Sequence, residues 1–387
     1  MLRPFVGSNL SKLVLAIVAL CLFGAPTTGV VIAADTTDEY QWSLPPGFPK
    51  PAVPPDNPMS AAKVQLGCRL FFDTRLSASG AYSCASCHRP ELAFSDGRAT
   101  AVGAAGEPVR RNAMSLTNVA YNATYTWASK RIVTLEAQME RPLFGVHPLE
   151  MGLARSDQAV ASALSNAIYE REFRAVFPVD QAPISVANVI KAIAAYERSL
   201  ISGRSAFDRY IFDDNRSVLS DTARRGMTLF FSPRSGCVEC HSGLNFSGSL
   251  VHEQARPEAL FANTGLYDID GNGAYPASDT GLLDESKATR DMGKFRVPTL
   301  RNIALTAPYM HDGSIATLRE VVEHYVAGGA QPSRPMTGAT NKRKDPRIKP
   351  LSLTDNERDD LVAFLESLTD PEFVTANHRE CSRIHAP

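Results

Sequence analysis

Two pentapeptides, Cys84-Ala85-Ser86-Cys87-His88 and Cys237-Val238-Glu239-Cys240-His241, constrain this chain more than anything else in it. Each is C-x-x-C-H, the attachment pattern of a c-type haem. On a helical turn, positions i, i+3 and i+4 share a face. Two thiols can then bond one porphyrin edge while the histidine points at the iron. A zinc ribbon also uses paired C-x-x-C units, at closer separation, but gives no reason for a histidine after each. The reading is two covalently bound haem c groups, one on Cys84, Cys87 and His88, the other on Cys237, Cys240 and His241.

The motifs sit in a wider echo. Gly67-Cys68-Arg69-Leu70-Phe71-Phe72 precedes the first and Gly226-Met227-Thr228-Leu229-Phe230-Phe231 the second. Phe94-Ser95 and Phe246-Ser247 follow at nearly equal distances. Such internal repetition indicates a duplicated unit. With 387 residues, the chain has room for two haem domains with a core each. Strand signals are sparse, so the expected class is mainly α: two cytochrome c-like haem domains with long loops, spanning 35–200 and 201–387.

Charge excludes some partners. A formal net charge of −1 carries no nucleic-acid footprint and no polybasic membrane patch. Residues 1–34 read as a secretory leader, with Arg3 and Lys12 ahead of the apolar stretch 13–23 and Ala33-Ala34 before an acidic run. The uncharged run 13–34 could also span a bilayer as an uncleaved anchor; cleavage is the preferred reading, leaving no stable membrane insertion. Export to the periplasm agrees with c-type haem. Setting aside Cys21 and the four motif cysteines leaves Cys68 and Cys381, either a disulfide or two separate buried thiols.

Local signals place several elements. Residues 41–58 are proline-rich and read as extended over the surface. A helix over about 59–72 leads into the first motif, and 184–196 has helical apolar spacing. Ser220 caps the helix entering the second motif. Thr317 caps a helix to about residue 327, and Thr354 with Glu357 forms a capping box for a last helix to about 368. Residues 97–111, 248–294 and 328–350 read as loops. In the sequence 268–273, Gly273 fits a calcium loop, but Asp279 stands where its glutamate should be, so a tight turn is preferred.

The segment from Val297-Pro298-Thr299-Leu300-Arg301-Asn302 to Ala307-Pro308-Tyr309-Met310-His311-Asp312-Gly313-Ser314 then closely resembles the hallmark of bacterial dihaem cytochrome c peroxidases and their MauG relatives. Arg111-Asn112 and His147-Pro148-Leu149-Glu150-Met151-Gly152 match the same superfamily, over roughly residues 55–370. The resemblance implies one calcium ion between the haems, held by Asn112 and the carbonyls of Thr306 and Pro308. It implies a polar pocket above the first haem formed by Gln138 and Glu150, with Pro142 beside them. Glu150 would move a proton between the peroxide oxygens and Gln138 would orient the peroxide. Trp127 would relay electron holes between the haems.

Two departures sort the chain within the superfamily. Many peroxidases carry, between the first haem motif and the Arg-Asn pair, a histidine that ligates the first iron at rest. Residues 89–110 contain none, so the first haem should keep an open position. Peroxidases also place a methionine fourteen residues beyond the His-Asp-Gly histidine; here that position is Tyr325, as in the MauG type. Leu318, Val321, Val322 and Tyr325 form one helical stripe, which turns Tyr325 inward. A hard oxygen ligand favours high-valent iron more than a thioether does.

With Thr126-Trp127 and Pro142-Leu143-Phe144-Gly145-Val146-His147-Pro148, the chain looks most like MbnH-type enzymes. The resemblance implies a periplasmic enzyme that uses hydrogen peroxide to form a bis-Fe(IV) state and oxidises tryptophan on a partner protein. In the MbnH case the product is kynurenine in a copper-binding partner. The runner-up is a peroxide-scavenging peroxidase fed by a small electron-donor cytochrome, and the third reading is a non-catalytic electron-transfer cytochrome.

Overall fold

The computed structural model describes residues 40–329 and 341–375. The leader, Cys21 and Cys381 lie outside the described residues. Hydroxyl and amide side chains start most of the helices by accepting from the backbone N–H groups that the first turn leaves unpaired. Ser60 opens α1 (Ala61–Phe71), Thr134 opens α2 (Leu135–Phe144) and Ser156 opens α3 (Asp157–Ala163). Asn166 opens α4 (Ala167–Val176), Ser185 α5 (Val186–Arg198), Ser205 α6 (Ala206–Phe212) and Ser220 α7 (Asp221–Phe230). A short α8 (Leu283–Ser286) lies in the long second-half loop. Capping boxes at Thr317 and Thr354 open α9 (Leu318–Val326) and α10 (Asp355–Glu366), and α11 (Pro371–Thr375) follows. The named strands, β1 (Phe261–Ala262) and β2 (Phe295–Arg296), pair antiparallel with Phe261 opposite Arg296. The chain is mainly α with two cytochrome c-like domains.

The sequence echo is a pair of helix crossings. α1 packs on α5, and α7 packs on α10. A Cβ at Gly67 would stand 1.8 Å from the Ala192 carbonyl oxygen, and one at Gly226 would stand 1.8 Å from that of Asp360. Only glycine lets the backbones approach so closely. Gly67→Ala and Gly226→Ala should each cost at least about 3 kcal/mol, the upper end of ordinary overpacking. Urea unfolding checks this: a midpoint equal to wild type in either variant would mean that the crossing relaxes freely.

Each crossing anchors an apolar cluster. The first gathers Leu66, Phe71, Phe94, Leu135, Ile193 and their neighbours, and the second Phe230, Phe246, Leu318, Val322 and Phe364 among others. Leu200 belongs to the first and Phe207 to the second. The clusters also borrow from each other's stretch of chain. Phe373 of α11 joins the first, its ring 5.7 Å from that of Phe94, while Ala128 joins the second.

Two sequence expectations change, and one left open is decided. The proline-rich stretch does not simply cover the surface: Phe48 is buried under the guanidinium of Arg301, and Asn57 is wholly buried. There Asn57 Nδ2 donates to Glu136 and to the Lys191 carbonyl, so polar capture drew it inward. The helix at Thr354 is not the last, because α11 follows. Cys68 is buried and disulfide-bonded. The loop around Gly273 does form a tight turn, with Gly273 N–H donating to Asp268 and Asn272 N–H to Asp270. No helix among the described residues is long and apolar enough to cross a membrane.

Candidate active site

Both pentapeptides form helical turns. Cys84–Ser86 and Cys237–Glu239 are 3₁₀ turns. The His88 and His241 N–H groups then donate back to the Cys84 and Cys237 carbonyls, at 3.0 and 2.9 Å. The phenylalanines of the echo fix each imidazole. His88 Nδ1 lies 2.9 Å from the Phe94 carbonyl oxygen and His241 Nδ1 2.8 Å from that of Phe246. A carbonyl can only accept, so Nδ1 carries the proton and Nε2 is left as the free donor atom for a metal. Burial holds both imidazoles below the usual histidine range, and hence neutral. All four motif thiols are free. Free paired thiols beside an anchored imidazole on a cavity wall fit a covalently attached haem at both places.

The first cavity, about 980 Å³, is lined by Cys84, Cys87 and His88, and by Gln138, Pro142 and Glu150. Gln138 and Pro142 are i and i+4 on α2, while Leu135, Met139 and Leu143 are buried in the core. Pro142 has no N–H, so the Gln138 carbonyl loses its usual helical donor and the helix ends two residues later. The chain then folds back. Met151 N–H donates to the Pro142 carbonyl, and Ala104 N–H to that of Glu150. The backbone around Glu150 is thus fixed, and the residue lines the cavity. Burial raises the Glu150 pKa above the usual carboxylate range, which suits a group that must both take and give a proton.

The second cavity, about 240 Å³, is lined by Cys237, Cys240 and His241 and by the whole stripe Leu318, Val321, Val322 and Tyr325 of α9. Burial holds the Tyr325 phenol above its ordinary pKa. It is therefore neutral unless a cation stabilises the phenolate. Its sequence neighbour His324 is also buried, with Nε2 3.1 Å from the Thr264 carbonyl oxygen.

Trp127 lines both cavities. Its indole N–H donates to the Asn112 carbonyl at 2.9 Å. Asn112 N–H donates to the His311 carbonyl, and the Asn112 amide nitrogen lies 2.8 and 3.4 Å from the Arg98 and Pro308 carbonyl oxygens. Thr306 and Pro308 line the second cavity beside it. With the Asn112 amide rotated so that Oδ1 turns inward, the cluster is all oxygen, a donor set that suits calcium. Asp279 takes no part in it. Its carboxylate accepts from Arg111 Nε and Nη2 at 2.8 and 2.7 Å, and the arginine offsets its burial and holds its pKa low. The Asn112 N–H bond to the His311 carbonyl ties the Arg-Asn pair to the His-Asp-Gly turn.

Sequence reasoning missed Arg296 and Met114, which line both cavities. Arg296 immediately precedes the Val297 hallmark, but no spacing distinguishes it from a surface arginine.

A family model described as di-haem cytochrome c peroxidase matches residues 61–216, and one described as cytochrome c matches residues 223–369. The chain is 36% identical over 381 residues to cytochrome-c peroxidase IdrP1 of Denitromonas iodatirespirans, covering 93% of each. The chain belongs to the di-haem cytochrome c peroxidase family. Methylamine utilization protein MauG of Methylorubrum extorquens is 34% identical over 347 residues, 88% of this chain and 89% of that one. Among solved structures, a MauG-like protein associated with microbial copper homeostasis aligns with a TM-score of 0.83 and 46% identity, over 88% of this chain and 98% of its own. The diheme peroxidase BthA of Burkholderia thailandensis aligns at 0.64 and 25%, over 83% and 90%. This family member is a haem oxidoreductase with two haem c groups.

Proposed function

We propose that this enzyme is exported to the periplasm and uses hydrogen peroxide to oxidise tryptophan on a partner protein, giving kynurenine in a copper-binding partner. The observation that carries the reading is Tyr325 on the wall of the second cavity, which its α9 stripe lines together with His241. The 46% identity to the MauG-like protein associated with copper homeostasis supports the choice of partner.

The haems, when bound, supply the redox chemistry of peroxide reduction. His88 and His241 would hold the irons through Nε2, Tyr325 would be the second ligand of the second iron, and the thioethers would form on the four free cysteines. Asn112, with the carbonyls of Thr306 and Pro308, would hold calcium. Gln138 would orient the peroxide. Glu150 would take a proton from the inner oxygen and return it to the outer one, which leaves as water. Trp127, between the cavities, would pass electrons inward from the second site. The partner would dock at the surface: two peroxide equivalents would take four electrons from its tryptophan, water there would supply the two oxygen atoms gained, and hydrolysis would release the lost ring carbon as formate to leave kynurenine.

The alternative is a peroxide scavenger fed by a small cytochrome; relatives named cytochrome-c peroxidase and cytochrome c551 peroxidase keep it open. Two measurements on the holoprotein separate them: steady-state peroxide turnover with a reduced small cytochrome, and the mass of a tryptophan-containing copper-binding protein after peroxide treatment. The expected result is slow turnover and an altered tryptophan. Rapid turnover with the tryptophan intact would favour the scavenger.

A further inference from the structure

Four arginines are buried among the described residues: Arg69, Arg198, Arg296 and Arg301. A buried guanidinium needs an anion, because the low-dielectric interior penalises an isolated charge heavily. Three have one. Arg69 meets Glu172 at 2.9 Å, Arg198 meets Glu136 at 2.8 Å, and Arg301 makes a two-pronged pair with Asp208 at 2.8 and 2.9 Å.

Arg296 is the exception. It is 7% exposed, yet no carboxylate of the described residues lies within ion-pair distance. Its Nε donates to the Thr126 carbonyl at 3.2 Å, and Nη2 lies 3.4 Å from the Met114 sulfur. Tyr125, which faces it electrostatically, is no anion: burial holds that phenol far above its usual pKa. Burial also depresses the Arg296 pKa to about 10, which still leaves it charged. Among the described residues, no carboxylate lines the second cavity, which Arg296 also lines. The acids of the first are engaged or raised: Glu140 pairs with Arg155, Asp284 with Arg110, and Glu285 accepts from Ser129 and Lys130, while burial raises Glu150 and Glu197.

Position completes the case. Arg296 is fixed on β2, and its N–H donates to the Trp127 carbonyl at 2.7 Å. It lines both cavities, as Trp127 does. The anions missing from the protein are those a haem brings, since each haem carries two propionate carboxylates. A planar guanidinium with five donors can serve more than one carboxylate.

We propose that Arg296 binds haem propionates at the junction of the two cavities, neutralising carboxylate from both haems and holding a fixed positive charge beside Trp127. It is a cofactor-binding residue whichever substrate the enzyme serves. Removing the charge should make both irons harder to reduce, because a nearby cation favours the ferrous state.

The test is spectroelectrochemistry of the holoprotein with Arg296→Gln and Arg296→Lys. Haem content should stay at two per chain, since the thioethers are untouched. In Arg296→Gln both midpoints should fall by about tenfold in the reduced-to-oxidised ratio, which is about 59 mV for one electron. Arg296→Lys, which keeps the charge, should recover most of the shift. Unchanged midpoints, a shift at one haem only, or equal shifts in both variants would overturn the assignment. If neither variant folds, infrared spectra of wild type with ¹³C-propionate haem decide. Paired propionate should be ionised at about pH 5, whereas a buried, unpaired acid titrates above its ordinary value near 4. A strong acid carbonyl band at that pH would overturn it.

Discussion

Glu150→Gln should slow the reaction with peroxide by about 10²–10⁴-fold, the usual cost of removing a positioned acid–base group. Glu150 lines the first cavity while its backbone is held by the Ala104 N–H, so the amide should occupy the same place and both haems should remain attached. The pH profile gives a second reading. Proton abstraction needs the ionised carboxylate, and burial raises the pKa of this group. The wild-type rate should therefore fall on the acid side at a pH above that of an ordinary glutamate, and this limb should vanish in the glutamine variant. Stopped-flow traces at several pH values check both points. A variant as fast as wild type, with the acid limb intact, would assign the proton transfer elsewhere.

Tyr325→Phe should abolish partner oxidation while sparing the first site. The substitution removes one oxygen and keeps most of the ring volume, so the apolar stripe of α9 should pack as before. Losing a direct iron ligand should cost at least as much as losing a residue that only supports one, so the expected fall is about 100-fold or more. Electron paramagnetic resonance of the oxidised protein should show the second iron change from low-spin to high-spin, and peroxide should still react at the first. A low-spin second iron with partner oxidation undiminished would make Tyr325 a packing residue. It would also remove the main support for a MauG-like reading over a scavenger.

What was legible in the sequence follows from how local each signal is. The haem turns, the capping boxes at Thr317 and Thr354 and the α9 stripe are set by residues within one or two helical turns, so spacing reveals them. The echo was visible as a repeat, but its reason was not: Gly67 and Gly226 matter because of carbonyls more than a hundred residues away. Asn57 illustrates the same limit, since its burial depends on Glu136 and Lys191, which sequence proximity cannot supply. Of the candidate site, Gln138 and Pro142 share a helix face that could have been read by counting. The position of Trp127 between two cavities, and the missing acid beside Arg296, exist only once distant segments meet.

The exchange of side chains between the two apolar clusters has a consequence for how such a protein is made. Phe94 supplies the carbonyl that orients His88, and its ring packs against Phe373 of α11. Synthesis runs from the amino terminus, so the support of the first histidine is completed by one of the last helices to emerge. Trp127 and Ala128 emerge early but have no cluster to join until the second half follows. Each half therefore completes its packing only with side chains that the other supplies, so the two haem turns are finished as one body rather than as two.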